Sequence, residues 1–185
     1  SAPEGDAAYR PRHLVADLEA LIAQLGAPLP LLVAHDWGGA IAWNLAAQRP
    51  DLIRRLLIIN SPHPGTFLRE LQHNPAQQAA SAYMNFLIRP DAAQLLAENG
   101  YARLFGFLEK MGAASAPGTP GAPVGAGWLT ESVRAQYRAV WDQGLDGGLN
   151  YYRASPLRPA TGQDPAAQAV SLPAEAVRVN VPTLV

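Results

Sequence analysis

The sequence predicts an α/β protein in which a parallel sheet is interrupted by a long helical insertion. Two short apolar runs, residues 29–34 and 53–59, flank a helical segment, and a third apolar run follows at residues 179–185. Apolar strands joined through helices are typical of parallel sheets covered on both faces. Right-handed crossover then places the first two strands side by side. Between residues 61 and 178 the strand pattern disappears, so we expect the third strand to rejoin the sheet after the insertion.

The expected helices follow from apolar spacing and from signals at their ends. Residues 11–25 carry apolar side chains at helical spacing, with Pro11 suited to a first turn and Gly26 to the end. A second helix is expected over residues 39–48. In the insertion we expect helices over residues 67–71, 76–88, 92–98, 101–111 and 130–142, and a loop over the Gly/Pro/Ala-rich residues 112–127.

These elements divide the chain into three parts. Residues 1–60 form a core, residues 61–178 a helical lid, and residues 179–185 a return strand of the core. The chain begins at Ser1 and ends within the third apolar run. Because the last backbone groups of an unfinished strand would lack partners, we expect the chain to be an internal fragment of a longer protein.

Composition excludes several classes of protein. The net charge of −1 and the absence of a basic cluster argue against a nucleic-acid partner. No apolar run approaches the length of a membrane span, and no signal-peptide pattern opens the chain. The chain has no cysteine, which excludes disulfides and thiolate metal sites and fits a reducing compartment. We therefore expect a cytoplasmic protein with neither a membrane nor a nucleic-acid partner. The sequence does not fix the oligomeric state.

An acidic residue follows the first apolar run at a strand-to-helix junction. Asp36 lies between the small residues Ala34 and Gly38, the spacing of a nucleophile elbow, in which a strained turn raises the central side chain above the sheet. We expect both neighbours to be small because the strand and helix backbones cross closely there. A carboxylate in this position can attack carbon and form an ester. The alternative is that Asp36 only caps the following helix.

Four motifs in order carry a resemblance to a known family. They are His-Asp-Trp-Gly-Gly at residues 35–39, Asn60-Ser61-Pro62, Tyr83-Met84-Asn85-Phe86 and Asn150-Tyr151-Tyr152-Arg153. Together they resemble the epoxide hydrolase branch of the α/β-hydrolase superfamily, over nearly all of the chain from about residue 10. The elbow alone is shared with haloalkane dehalogenases. The elbow combined with both tyrosine motifs is more specific.

The resemblance implies a fold and a set of roles. The fold is an α/β-hydrolase with a helical lid, and the reaction opens an epoxide to a diol through an ester of Asp36. Tyr83 and Tyr152 would donate to the leaving epoxide oxygen, as phenols are able to do. The backbone N–H of Trp37 would supply half of an oxyanion hole. The alternative for each tyrosine is packing in the lid with its hydroxyl at the surface.

The remaining candidate residues are expected either to contact the substrate or to have no catalytic role. His63, Phe86 and Tyr151 are expected to contact the substrate, whereas His35 should face away from the cleft, since adjacent strand residues point to opposite faces. No pair of histidines has metal-ligand spacing, so we expect no metal and no cofactor. The catalytic acid and the general-base histidine are expected beyond Val185, so we expect the 185 residues alone to be inactive.

Two other functions remain open at this point. Asp36 and Trp37 also suit a haloalkane-type dehalogenase, although the paired tyrosines favour an epoxide oxygen. A catalytically inactive homologue could instead hold an apolar ligand. The expected partners are a small apolar epoxide-like substrate and water. The natural substrate and its stereochemistry are not fixed by the sequence.

Overall fold

The computed structural model describes residues 2–111, 113, 127–161 and 165–185. Most of the loop predicted over residues 112–127 lies outside the described residues. The chain forms two compact units, which we call the sheet unit (Ser1–Phe86 with Asn150–Val185) and the helical unit (Leu87–Leu149). The sheet unit thus includes both ends of the lid predicted over residues 61–178. The division into core, lid and return strand remains a prediction.

The sheet unit contains a three-stranded parallel sheet. Its strands are β1 (Leu32–His35), β2 (Leu56–Ile59) and β3 (Thr183–Leu184), in the order β1-β2-β3. Leu32 pairs with Leu56, which pairs in turn with Thr183. The predicted parallel arrangement of the three apolar runs, with the insertion between the second and the third, is therefore confirmed.

The first strand begins later than predicted. Before β1, Leu29 pairs with Ile53 only as an isolated parallel bridge. Pro30 follows Leu29 and has no N–H to donate, so the ladder cannot continue through it. Regular pairing resumes where the N–H of Leu32 donates to the carbonyl of Arg55 at 3.0 Å.

Two helices share a core with the sheet. Helix α1 (Pro11–Leu25) has the predicted bounds, whereas α2 (Asp36–Gln48) begins three residues earlier than predicted. The fully buried side chains of this core include Ile22 of α1, Leu45 of α2 and Leu56 of β2. Each such side chain contributes about 1.5–3 kcal/mol of hydrophobic stabilisation. Helix α2 is consequently packed against the strands through its buried face.

Three short helices follow β2. They are α3 (Pro64–His73), α4 (Pro75–Ala80) and α5 (Tyr83–Leu87), so the single helix predicted over residues 76–88 is wrong. The break falls at Ser81, which is buried and accepts a hydrogen bond from the side-chain amide of Gln77 at 2.8 Å. The backbone of Ser81, with φ of −93° and ψ of 3°, departs from helical angles, and α4 ends there. Tyr83 consequently opens a short helix of its own.

The helical unit is built around two longer helices. Helix α6 (Ala92–Lys110) contains four residues with non-helical backbone angles, from Glu98 to Tyr101, so it is kinked where the two predicted helices meet. Helix α7 (Glu131–Trp141) is capped by Thr130, whose hydroxyl accepts from the N–H of Val133 at 3.3 Å. The helix lies within the range predicted over residues 130–142.

The last helix was not predicted. Helix α8 (Asp146–Ala154) carries Gly147 and Gly148 in its first turn, and glycine has a low helix propensity, so its sequence gives a weak helical signal. Among the described residues, no helix combines the length and the apolar character needed to cross a membrane.

Candidate active site

Asp36 lies in a strained turn between β1 and α2. Its φ of 51° falls in the left-handed region, which is uncommon for a residue other than glycine. The residue at the N-cap position is His35, so Asp36 is the first helical residue and not the cap. The Asp36 side chain is exposed, and its Oδ1 accepts the N–H of Trp37 at 2.6 Å.

The close approach behind this turn occurs at Gly39 and not at Gly38. A Cβ built on Gly39 would lie 2.5 Å from the Cβ of Ser61, which no real packing permits. A Cβ on Gly38 would meet no described atom within 4 Å. The expectation that Gly38 must be small is therefore wrong within the described residues. Gly39 is needed because α2 crosses the segment that leaves β2.

The two predicted tyrosines meet. The rings of Tyr83, at the start of α5, and Tyr152, in α8, have centroids 6.1 Å apart and planes at 76°. Burial, together with the Tyr152 hydroxyl and the charge of Asp36, raises the pKa of Tyr83 to about 12. A hydrogen bond between the Tyr83 and Tyr152 hydroxyls contributes to this shift. Tyr83 therefore remains a protonated donor at neutral pH.

The indole of Trp37 connects the carboxylate turn to α8. Its ring lies 5.1 Å from the ring of Tyr152, edge to face, and 5.7 Å from that of Tyr151. Tyr151 in turn contacts Tyr9 edge to face at 5.0 Å. Trp37 consequently contacts both the carboxylate and the tyrosines, because its backbone N–H donates to the Asp36 carboxylate while its ring packs on Tyr152.

These side chains line one cavity of about 120 Å³. An engineered cavity of about 150 Å³ holds benzene, so a small apolar group fills a space of this size. Four of the predicted residues line it: Asp36, Trp37, Tyr83 and Tyr152. The other lining residues are Ala40, Asn60, Ser61, Pro62, Pro64, Phe67, Met84, Ser155 and Leu157. The wall is thus largely apolar, and Asp36, Tyr83 and Tyr152 add a carboxylate and two phenols to it.

Three predicted substrate contacts do not line this cavity. One ring nitrogen of His63, Nε2, lies 2.8 Å from the carbonyl oxygen of Val177, and its ring packs edge to face on Trp43. The ring of Tyr151 packs against that of Trp37, and Phe86 is half-buried. The structure therefore brings the carboxylate and the tyrosines together and leaves these three residues outside the wall.

Several lining residues were not predicted as site residues. Asn60 and Ser61 follow β2 in a motif that the sequence analysis had quoted, and Asn60 has a φ of 50° like Asp36. Met84 neighbours Tyr83 in its motif. Phe67, Ser155 and Leu157 carry no signal in the sequence, since only the folded chain brings their segments together.

Comparison with known proteins identifies the family. A sequence profile of the alpha/beta hydrolase fold matches residues 1–131. The chain belongs to the α/β-hydrolase family. It is 34% identical over 155 residues to the AB hydrolase superfamily protein YfhM of Bacillus subtilis (strain 168). This match covers 82% of this chain and 50% of that protein. It is 30% identical over 185 residues to an epoxide hydrolase of Caballeronia sordidicola, with 84% of this chain and 52% of that protein covered.

Solved structures give the same result. The crystal structure of a Bacillus megaterium epoxide hydrolase in complex with an inhibitor superposes with a TM-score of 0.76 at 30% identity, covering 98% of this chain and 59% of that one. The predicted α/β-hydrolase fold and the resemblance to epoxide hydrolases are therefore confirmed. The chain spans about half the length of the curated relatives described above.

Proposed function

We propose that this chain carries the epoxide-opening part of an epoxide hydrolase that works through an ester of Asp36. The observation that carries the proposal is the meeting of one carboxylate and two phenols in a single small cavity. Relatives named epoxide hydrolases support the same function. The substrate class is a small apolar epoxide, which matches the largely apolar wall.

The first half-reaction needs a nucleophile and a donor. A lone pair of the Asp36 carboxylate attacks an epoxide carbon, and the bond from that carbon to the epoxide oxygen breaks. The oxygen leaves as an alkoxide and takes a proton from a phenol. Tyr83, with its pKa of about 12, stays protonated at neutral pH and is still far more acidic than an alcohol. The Tyr83–Tyr152 pair thus supplies the charge stabilisation that the leaving oxygen requires.

The second half-reaction needs a base that activates water against the ester. Among the described residues, no histidine lines the cavity. We therefore propose that the 185 residues alone do not turn over. We also propose that the backbone N–H of Trp37 stabilises the oxyanion that forms when water adds to the ester; its hydrogen bond to the Asp36 carboxylate supports this role.

A haloalkane-type dehalogenase is the second candidate, because the Asp36 turn and the indole of Trp37 would serve it equally. A leaving halide carries its charge without a proton, whereas a leaving alkoxide does not. The two phenols facing the cavity therefore favour the epoxide.

The test removes the hydroxyls from the full-length protein. We expect Tyr83→Phe or Tyr152→Phe to lower epoxide turnover on the order of ten- to a thousandfold, and the double variant to nearly stop it. Turnover of an aryl epoxide and of a haloalkane is measured for each variant. Tyr137→Phe, in the helical unit, removes a hydroxyl elsewhere and should change neither. Full epoxide turnover by the double variant would contradict the proposal, and faster haloalkane turnover by the unchanged protein would favour the dehalogenase.

A further inference from the structure

We propose that Asn85 is a positioning residue for the tyrosine pair: its side-chain amide holds the helix that carries Tyr83 at a fixed place relative to the helix that carries Tyr152. The inference rests on the proposed function, because it concerns the same two phenols. Asn85 itself does not line the cavity.

The helix that carries Tyr83 cannot hold itself in place. Helix α5 has only five residues, whereas isolated helices shorter than about 12–15 residues are marginal. Tyr83 is its first residue and is 45% exposed, so its own packing fixes it only in part. The position of its hydroxyl therefore depends on what anchors α5.

Asn85 supplies such an anchor. Its Nδ2 donates to the carbonyl oxygen of Pro159 at 3.0 Å. Pro159 is buried and follows the end of α8, the helix that carries Tyr152. The hydrogen bond thus joins the two segments on which the phenols stand, 74 residues apart in the chain.

The loop between α8 and Pro159 is itself held by local hydrogen bonds. The hydroxyl of Ser155 accepts the N–H of Leu157 at 3.1 Å, and a guanidinium N–H of Arg158 donates to the Ser155 carbonyl at 2.9 Å. Ser155 and Leu157 also line the cavity. Because this loop is tied to the end of α8, fixing α5 to Pro159 also fixes α5 relative to Tyr152.

The distance between the two hydroxyls is sensitive to this anchor. Hydrogen bonds between hydroxyls span about 2.5–3.0 Å, so a shift of roughly 1 Å breaks them. A misplacement of that size at a reacting group lowers rates by up to about a hundredfold. Asparagine suits the position because its amide donates to a carbonyl, whereas aspartate of the same size has only acceptors.

The test uses Asn85→Asp and Asn85→Ala in the full-length protein. We expect the maximal rate of epoxide consumption in a single turnover to fall about tenfold or more. The epoxide concentration that gives half of this maximal rate should change little. The matched control is Gln72→Ala. Gln72 also donates its amide to distant carbonyls, those of Gln168 and Val170, but it does not line the cavity. Its loss should leave the single-turnover rate unchanged.

A second readout does not depend on activity. The titratable groups that face Tyr83 are Tyr152 and Asp36, and the hydrogen bond to Tyr152 contributes to its high pKa. Loss of that bond lowers the pKa of Tyr83 from about 12 towards its usual 10. Ring-carbon NMR of labelled tyrosine, assigned with Tyr83→Phe, should show Tyr83 ionising at a lower pH in Asn85→Ala than in the unchanged protein or in Gln72→Ala.

The outcomes separate the inference from the proposed function. An unchanged titration of Tyr83 in folded Asn85→Ala would overturn the positioning role, even if the tyrosine variants lose activity. A lowered pKa of Tyr83 with no epoxide turnover by the unchanged protein would support the positioning role and reject the proposed function. An equal loss of rate in Gln72→Ala would also overturn the inference, because the effect would then be general.

Discussion

The sheet unit and the helical unit each place a tyrosine, a tryptophan and an aspartate close together, and they use them differently. In the helical unit the Tyr101 hydroxyl donates to Oδ1 of Asp142 at 2.7 Å, and its buried ring packs on Trp141 at 5.2 Å. In the sheet unit Asp36 and the tyrosine pair line a cavity. The helical group satisfies its own hydrogen bonds, whereas the sheet group presents polar atoms to a space that a ligand can enter.

Neither backbone strain nor a shifted pKa distinguishes the two groups alone. Tyr101 has a φ of 68°, as unusual as the 51° of Asp36. The hydrogen bond to Asp142 raises the pKa of Tyr101 as well. The cavity beside Asp36 is lined by that carboxylate and by both phenols, and neither Tyr101 nor Asp142 is among the described residues that line it. We conclude that strain and altered pKa values indicate function only where the groups concerned also face an accessible space.

The largest expected effect concerns the two carboxylates. Asp36→Ala should abolish epoxide turnover in the full-length protein, by at least about a thousandfold, because it removes the attacking group. Asp142→Ala should lower the melting temperature by freeing the Tyr101 hydroxyl, and should leave turnover unchanged. Turnover and thermal unfolding of both variants are compared. Retained turnover in Asp36→Ala, or loss of turnover in Asp142→Ala, would contradict the assignment of a catalytic role to Asp36 and a structural role to Asp142.

Alanine substitutions at two glycines should change the free energy of unfolding by smaller amounts and in opposite directions. Gly39→Ala places a Cβ within 2.5 Å of Ser61 and should destabilise the protein by about 1–3 kcal/mol. Gly106→Ala, inside α6, meets no described atom within 4 Å and should stabilise it by up to about 1 kcal/mol through helix propensity. Denaturant unfolding measures both. Equal effects at the two positions would mean that the crossing behind the Asp36 turn does not constrain the fold.

The sequence predicted the parts whose signals are local. Helix α1 has the predicted bounds because Pro11 and Gly26 mark both ends. The turn at Asp36 follows from small residues next to an apolar run. The position of the close approach, one residue further along at Gly39, depends on Ser61 in another segment, so local spacing could not reveal it. The same holds for His63, whose ring is held by Val177, 114 residues away.

The central claim is that an oxygen of Asp36 enters the product, and isotope labelling tests it directly. Excess full-length protein is allowed one turnover of an aryl epoxide in heavy-oxygen water. If Asp36 attacks the epoxide, the first diol contains no heavy oxygen, and the label appears in the peptide that contains Asp36 after water cleaves the ester. Heavy oxygen in the diol of this first turnover, with an unlabelled Asp36 peptide, would show direct attack by water and would contradict the ester mechanism.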